Sequence, residues 1–256
     1  MHVHLVQYDL VWEDKRANHD RARSLLLQNR PAPGSLVVLP EMFPTGFSTN
    51  LEVTAQGAGL EDEVFLSGLA REHGCFVMGG VVSPRDGEQA RNESVTFDPT
   101  GTLLARYVKI QPFNLGGEGI CHAFGSKIVT FPWAGFTVAP LICYDLRFPE
   151  HFRTAVRQGA NLIVVIASWP VKRYHHWLTL LQARAIENLA YVIGVNRTGS
   201  DPHLKYNGRS VVVSPHGHII ADAGEGERVL TAQIDLPDLL QWRAEFPALR
   251  DMRPPV

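Results

Sequence analysis

The chain has 256 residues, 45% of them hydrophobic and 20% charged, with a formal net charge of -2. That is apolar material for a sizeable core in a single domain over residues 1–256, and the near-neutral balance without a basic block leaves no footprint for nucleic acid or an anionic membrane. The cysteines Cys75, Cys121 and Cys143 are odd in number and lack C-x-x-C spacing, which argues against a disulfide framework and fits a reducing compartment.

At the N-terminus, Met1 to Tyr8 has neither the basic flank nor the small-residue cleavage site of a secretory leader, and His2 to Tyr8 alternates as a first strand. Lys15 to Asn29 carries Ala22, Leu25 and Leu26 at helical spacing. After the Pro31-Ala32-Pro33-Gly34 break, Leu36 to Leu39 reads as a buried strand that hands over to Pro40 and Glu41. Glu61 to His73 is expected to be a helix and Cys75 to Val82 a strand. Arg91 to Phe97 and Leu103 to Tyr107 form a hairpin about Asp98-Pro99-Thr100-Gly101, with Lys109 just past its second strand. A loop, Gly116-Gly117-Glu118-Gly119, precedes strands near Lys127 to Phe131 and Phe136 to Ile142. Glu150 to Gln158 then reads as a helix, Leu162 to Ala167 as a strand, His175 to Asn188 as a longer helix and Tyr191 to Val195 as a strand. Strands at Arg209 to Ser214, Ile219 to Ala223 and Val229 to Ile234 are separated by turns, and Leu236 to Phe246 closes the pattern as a helix. The proline-rich tail, Arg253-Pro254-Pro255-Val256, is expected to pack outside its own core, against a partner subunit. No apolar run approaches the roughly 20 residues that span a bilayer. Strand and helix alternate with hairpins mixed in, which points to an α/β layered fold with mixed sheets, in a cytoplasmic protein that handles small molecules.

Glu41, Lys109 and Cys143 each directly follow an apolar strand, where open α/β sheets collect ligands. Singly, each has a plain structural reading: a carboxylate approaching a helix, a solvated lysine, a core thiol. Together they supply a proton carrier, a fixed cation and a nucleophile, a complete set for acyl transfer. Competing signals are weaker. Gly117-Glu118-Gly119-Ile120-Cys121-His122 starts like a dinucleotide loop but has His122 where the third glycine belongs. The histidines form no H-E-x-x-H, and Ser210 and Ser214 lack the G-x-S-x-G frame. No metal or cofactor is expected.

Three spaced stretches carry a specific likeness: Leu39-Pro40-Glu41-Met42-Phe43-Pro44-Thr45-Gly46-Phe47, Tyr107-Val108-Lys109 and Ile142-Cys143-Tyr144-Asp145-Leu146-Arg147-Phe148-Pro149-Glu150. With Ala167-Ser168-Trp169-Pro170 and the run from Gln182 to Arg197, they resemble the nitrilase superfamily of carbon–nitrogen hydrolases, in particular its omega-amidase-like branch. The resemblance implies a four-layer α-β-β-α sandwich, a Glu41-Lys109-Cys143 triad, at least a homodimer, and hydrolysis of the terminal amide of 2-oxo acid amides such as 2-oxoglutaramate. It also matches Glu118 to a second glutamate near the site, against the alternative of a solvated loop carboxylate. One departure stands out. Many relatives have histidine two residues after the lysine, then Leu-Phe, where this chain has Gln111-Pro112-Phe113.

On this reading Glu41 is the base, Cys143 the nucleophile, and Lys109 with the Tyr144 backbone N–H receives the oxyanion. Lys109 beside the thiol is expected to lower its pKa. A substrate carboxylate calls for a cation, for which Arg173 is the first candidate and Arg147 the second, the latter set between Asp145 and Glu150 as if for ion pairing. Trp169 and Phe43 are candidate pocket walls, with core packing as the competing role. Rival readings are an amidase for a damaged peptide-like metabolite, a carbamoylase, a nitrilase, a non-catalytic binding protein of the same fold, or a thiol redox protein using Cys121 as resolving cysteine.

Overall fold

The structure, a computed structural model, describes residues 1–253. In chain order its elements are β1 (His2–Gln7), α1 (Lys15–Gln28), β2 (Leu36–Val38), α2 (Leu51–Thr54), α3 (Glu61–His73), β3 (Phe76–Val82), β4 (Asn92–Phe97), β5 (Leu103–Val108), α4 (Glu118–Cys121), β6 (Phe131–Trp133) and β7 (Phe136–Ile142). The second half adds α5 (Pro149–Arg157), β8 (Leu162–Ala167), α6 (Tyr174–Asn188), β9 (Tyr191–Asn196), β10 (Thr198–Ser200), β11 (Lys205–Asn207), β12 (Val211–Val213), β13 (Ile219–Asp222), β14 (Arg228–Gln233) and α7 (Leu236–Glu245).

Side-chain alternation sets the layers. Val3, Leu5, Leu36, Val38 and Met78 leave one face of β1, β2 and β3, while Val6, Val37 and Val77 leave the other. Both faces are apolar, so both need a cover. The first sheet, ordered β14-β1-β2-β3-β4-β5, is parallel through β1, β2 and β3 and antiparallel elsewhere. Helices α1 and α3 cover one face with Ala22, Leu25, Leu26, Phe65, Leu66 and Leu69. Its other face shares one apolar cluster with the second sheet, ordered β13-β12-β9-β8-β7-β6, in which β7, β8 and β9 run parallel. Helices α5 and α6 close that sheet with Phe152, Ala155, Trp177, Leu181 and Ala185. The result is an α-β-β-α stack, as expected of the fold class.

Two expectations need correction. The strand placed near Lys127 to Phe131 begins only at Phe131, because the edge strand β6 pairs with β7 over Phe131↔Val138 to Trp133↔Phe136 and residues 127–130 have no ladder partner. The hairpin β10–β11 was not anticipated: each strand has three residues, and Gly199 takes a left-handed φ of 80°, so no apolar run announces it. Residues 254–256, most of the tail expected to meet a partner, lie outside the described residues. Among the described residues no helix is long and apolar enough to cross a membrane.

Candidate active site

Three strand exits meet at one end of the sandwich. Beyond β2, the Leu39 N–H donates to the Met78 carbonyl at 2.8 Å and the Pro40 carbonyl accepts from the Gly80 N–H at 3.1 Å, which carries Glu41 past the ladder. Gly80 is required there, since an added Cβ would lie 2.6 Å from the Glu41 Cα and 2.7 Å from the Met42 nitrogen. Beyond β5, the Lys109 N–H donates to the Asn92 carbonyl at 2.9 Å, so the hairpin register sets Asn92 across from the lysine. Beyond β7, Cys143 adopts a φ of 45°, a conformation that a β-carbon disfavours, and opens a 3₁₀ turn through Arg147. The first N–H groups of such a turn, Tyr144's among them, have no acceptor within it.

The side chains from these exits form a dry ionic network. Lys109 Nζ donates to Glu41 Oε1 at 2.9 Å and to Glu118 Oε1 and Oε2 at 2.9 and 2.8 Å. Asn92 Nδ2 bridges the same Glu41 Oε1 and Glu118 Oε1, each at 2.8 Å. Glu118 Oε2 accepts the Phe113 N–H at 2.6 Å, and Glu41 Oε2 accepts the Ser168 N–H at 2.9 Å. Glu41, Glu118 and Lys109 are 0%, 1% and 3% exposed, so water screens none of these contacts. Glu118 is therefore a buried partner of the lysine, on the helical turn α4, and not a solvated loop carboxylate.

Burial opposes the charge on Lys109, yet Glu118 and Glu41 hold its pKa above the ordinary lysine range. Burial likewise works against the Glu118 carboxylate, and Lys109 overcomes it, holding that pKa below the usual range. The Cys143 thiol goes the other way. Burial first, then Glu41, push it well above the ordinary value, and the opposing pull of Lys109 is the weaker influence. Lys109 does pull the thiol pKa down, as expected, but burial first and then Glu41 outweigh it, and the net shift is upward. A base must take the thiol proton as attack begins, and Glu41 Oε2 is placed on the Ser168 N–H that also faces the Cys143 sulfur.

Cys143 lines a cavity of about 580 Å³ whose walls include Phe47, Phe113, Trp169 and Tyr206 and whose cations are Arg147 and Arg173. Trp169 is both wall and core, packed on Trp177 at 5.6 Å between ring centroids. Phe43 is not a wall. Its N–H binds the Gly80 carbonyl after the left-handed Met42, which turns the ring away to pack on His19 and Phe65, and Phe47 lines the cavity in its place. Arg147 does not pair with Asp145 or Glu150: its guanidinium stacks 4.9 Å from the Trp169 ring centroid and bonds His176 Nδ1 at 3.1 Å, while Asp145 is wholly buried. Arg173 lies 5.5 Å from the Phe113 ring centroid. Among the described residues neither arginine makes an ion pair, and Arg173 helps to depress the Arg147 pKa, after burial. The carboxylates Glu13 and Asp201 also line the cavity, but Ser48 engages Glu13, and the His203 and Leu204 N–H groups with the Tyr206 hydroxyl engage Asp201. Cys121 packs with the cluster of Met42, Leu51, Val82 and Ala90 and does not line the cavity, which removes support for a resolving cysteine. The Gln111 departure is local, since that residue uses its backbone N–H here, donated to Asp145 Oδ1 at 2.9 Å.

Sequence reasoning passed over Asn92, Phe47 and Tyr206. Asn92 had a signal: a polar residue opening a buried strand, in hairpin register with Lys109.

Comparison with known proteins places this arrangement. The family model "Carbon-nitrogen hydrolase" matches residues 2–244. An omega-amidase, YafV, of Yersinia enterocolitica is 39% identical over 253 residues, covering 96% of this chain and 94% of its own. A 2-oxoglutaramate amidase of Bacillus subtilis is 32% identical over 252 residues, covering 98% of this chain and 97% of its own. Among solved structures, a CN-hydrolase superfamily protein from Xanthomonas campestris, crystallised with an arsenic adduct in its active site, superposes with a TM-score of 0.93 at 33% identity, covering 100% of this chain and 98% of that one.

Proposed function

Because the chain belongs to the carbon–nitrogen hydrolase family, whose members cleave C–N bonds other than peptide bonds, we propose that it is an omega-amidase converting a small 2-oxo dicarboxylic acid monoamide, 2-oxoglutaramate or 2-oxosuccinamate, to the acid and ammonia. The observation that carries this reading is the buried Glu41–Lys109–Glu118 network beside Cys143, at a cavity whose two arginines lack carboxylate partners among the described residues. Curated relatives named omega-amidase and 2-oxoglutaramate amidase agree with it.

Glu41 takes the proton of Cys143 as the sulfur attacks the amide carbon, and the oxygen of the tetrahedral intermediate gains its charge facing Lys109 and the Tyr144 N–H. The C–N bond breaks as Glu41 returns that proton to the leaving nitrogen, which departs as ammonia and leaves a thioester. Glu41 then takes a proton from water, the hydroxyl adds to the thioester carbon, and the C–S bond breaks to release the acid and the reprotonated thiol. Glu118 and Asn92 hold Lys109 and Glu41 in place throughout.

Ammonia release from 2-oxoglutaramate, with glutamine and a simple nitrile as controls, tests the reading: fast release from the 2-oxo amide alone is the expected result, and inertness toward it removes the assigned acyl group. Arg173→Ala is expected to raise KM for this substrate by roughly 10- to 100-fold with a smaller change in kcat, since a charged hydrogen bond contributes about 1.5–3 kcal/mol. A nitrilase acting on a simple nitrile would need no carboxylate clamp, so dependence on Arg173 argues against that rival. The same reading includes a cytoplasmic homodimer, which a monomer in light scattering would remove.

A further inference from the structure

Asp145 is buried at 0% exposure and touches both strand exits. Its Oδ1 accepts the N–H of Gln111, two residues past Lys109, at 2.9 Å. Its Oδ2 accepts the N–H of Ile142, the residue before Cys143, at 2.9 Å, and the hydroxyl of Tyr107, two residues before Lys109, at 2.8 Å. Lys109 leaves the edge strand of the first sheet and Cys143 leaves a strand of the second, and among the described residues no ladder joins the two sheets. Their relative position therefore depends on groups that cross between them, and Asp145 does so with one backbone donor on each oxygen.

We propose that Asp145 is a positioning residue whose carboxylate clamps the strand end bearing Cys143 to the strand end bearing Lys109, fixing the nucleophile against the cation. The proposal rests on the triad reading above. Only an ionised carboxyl suits the role. An ionised carboxylate accepts at both oxygens, whereas a protonated acid or an amide must present a donor at one of them. The Tyr107 hydroxyl can rotate to accept, but the N–H groups of Gln111 and Ile142 cannot.

The groups facing Asp145 set where the clamp engages. From β5 and its exit come Lys109, which favours the charged form, and Tyr107, which donates to it. From α6, Arg184 donates to the Leu146 carbonyl and leaves the carboxylate alone. Burial outweighs the favourable partners and pushes the Asp145 carboxyl up to about 6. With the folded value above the unfolded one, the stability linked to this group is full below the ordinary carboxylate range and is lost as pH rises through about 6. Positioning has the opposite sign, because protonation weakens one of the two oxygens as an acceptor, so both N–H groups are held at full strength only above that pH. Turnover is gained over the window in which the linked stability is given up.

The test compares the unmodified enzyme with Asp145→Asn and Tyr107→Phe, reading ammonia release and the rate of Cys143 alkylation by iodoacetamide from about pH 5 to about pH 9. Asp145→Asn is expected to lower kcat on the order of 100-fold with KM little changed, the cost of a misplacement of about 1 Å, and to erase the acid limb near pH 6. Tyr107→Phe keeps both backbone N–H groups donating to Asp145 and should lose less, with the limb retained. A folded Asp145→Asn enzyme with unchanged kcat and an unchanged acid limb would overturn the proposal. If that variant does not fold, Tyr107→Phe decides: a partial loss of kcat supports the clamp, and unchanged turnover and alkylation overturn it. Alkylation needs no substrate. An unmodified enzyme inert toward every amide, whose Cys143 labelling still depends on Asp145, would sink the amidase reading and keep the clamp. An active enzyme whose labelling ignores Asp145 would do the reverse.

Discussion

Cys143→Ala is expected to lower ammonia release by on the order of 10⁴-fold or more, because the substitution removes the sulfur to which the proposed mechanism assigns the covalent intermediate. Folding should be little affected. Alanine meets the same backbone strain at φ 45° as cysteine does, and the side chain lost is a single sulfur atom beyond Cβ. Substrate binding should also persist, since Arg147, Arg173, Phe113 and Trp169 are untouched. The informative result is therefore a protein that binds the 2-oxo amide in calorimetry and does not turn it over. Mass spectrometry gives the complement: an acyl adduct on Cys143 in unmodified enzyme quenched during turnover, and none in the variant. Comparable ammonia release from both proteins would end the nucleophile assignment. Cys143→Ser sharpens the point, because the hydroxyl is harder to deprotonate than the thiol, and Glu41 must already work against a thiol held well above its ordinary pKa.

That elevated thiol explains what a linear sequence can and cannot convey about such a site. The exits of β2, β5 and β7 were legible because each is an apolar run broken by one reactive side chain, and a buried strand leaves few other places for that side chain to go. The four-layer order came from the family resemblance alone; the structure supplies its physical reason, since apolar residues on both faces of β1, β2 and β3 demand a cover on each side. Electrostatic balance was not legible in the same way. Lys109 alone argues for a thiolate, and only the arrival of Glu118 from α4 and of Asn92 from β4 shows that its charge is already committed. The choice between Phe43 and Phe47 was equally out of reach, since it turns on the left-handed backbone at Met42 and the hydrogen bond from Phe43 to Gly80. Arg147 illustrates the same limit. Its neighbours in sequence, Asp145 and Glu150, suggested an ion pair, but the turn after Cys143 sends the Asp145 carboxylate inward and the guanidinium onto Trp169. The hairpin β10–β11, which brings Tyr206 to the cavity, escaped notice because strands of three residues leave no period to read.

Lys109→Met is the substitution expected to cost most in both activity and stability. It keeps the unbranched stem, one atom shorter, and removes the only cation hydrogen-bonded to Glu41 and Glu118 among the described residues. Two carboxylates at 0% and 1% exposure would then share Asn92 without a counter-charge. Breaking a buried ion pair by deleting one partner typically costs about 3–5 kcal/mol, and at about 2–4 °C per kcal/mol for a chain near this size the melting temperature should fall on the order of 10 °C. The pH dependence identifies the cause. In the unmodified protein the Glu118 pKa is held below its ordinary value, so the stability it contributes is present above the ordinary carboxylate range and is lost as pH falls through its lowered pKa. Without Lys109, burial should raise the Glu118 carboxyl pKa in the folded state, reversing the sign, so that the variant loses stability as pH rises. Thermal melts at about pH 5 and about pH 8 are the measurement: the deficit of Lys109→Met against the unmodified protein should widen toward the higher pH. A deficit that narrows as pH rises would mean the two carboxylates do not depend on this lysine for their charge. The catalytic loss follows from the same absence, because Lys109 is the cation assigned to the oxyanion; a drop of at least on the order of 100-fold in kcat is expected from that contribution alone.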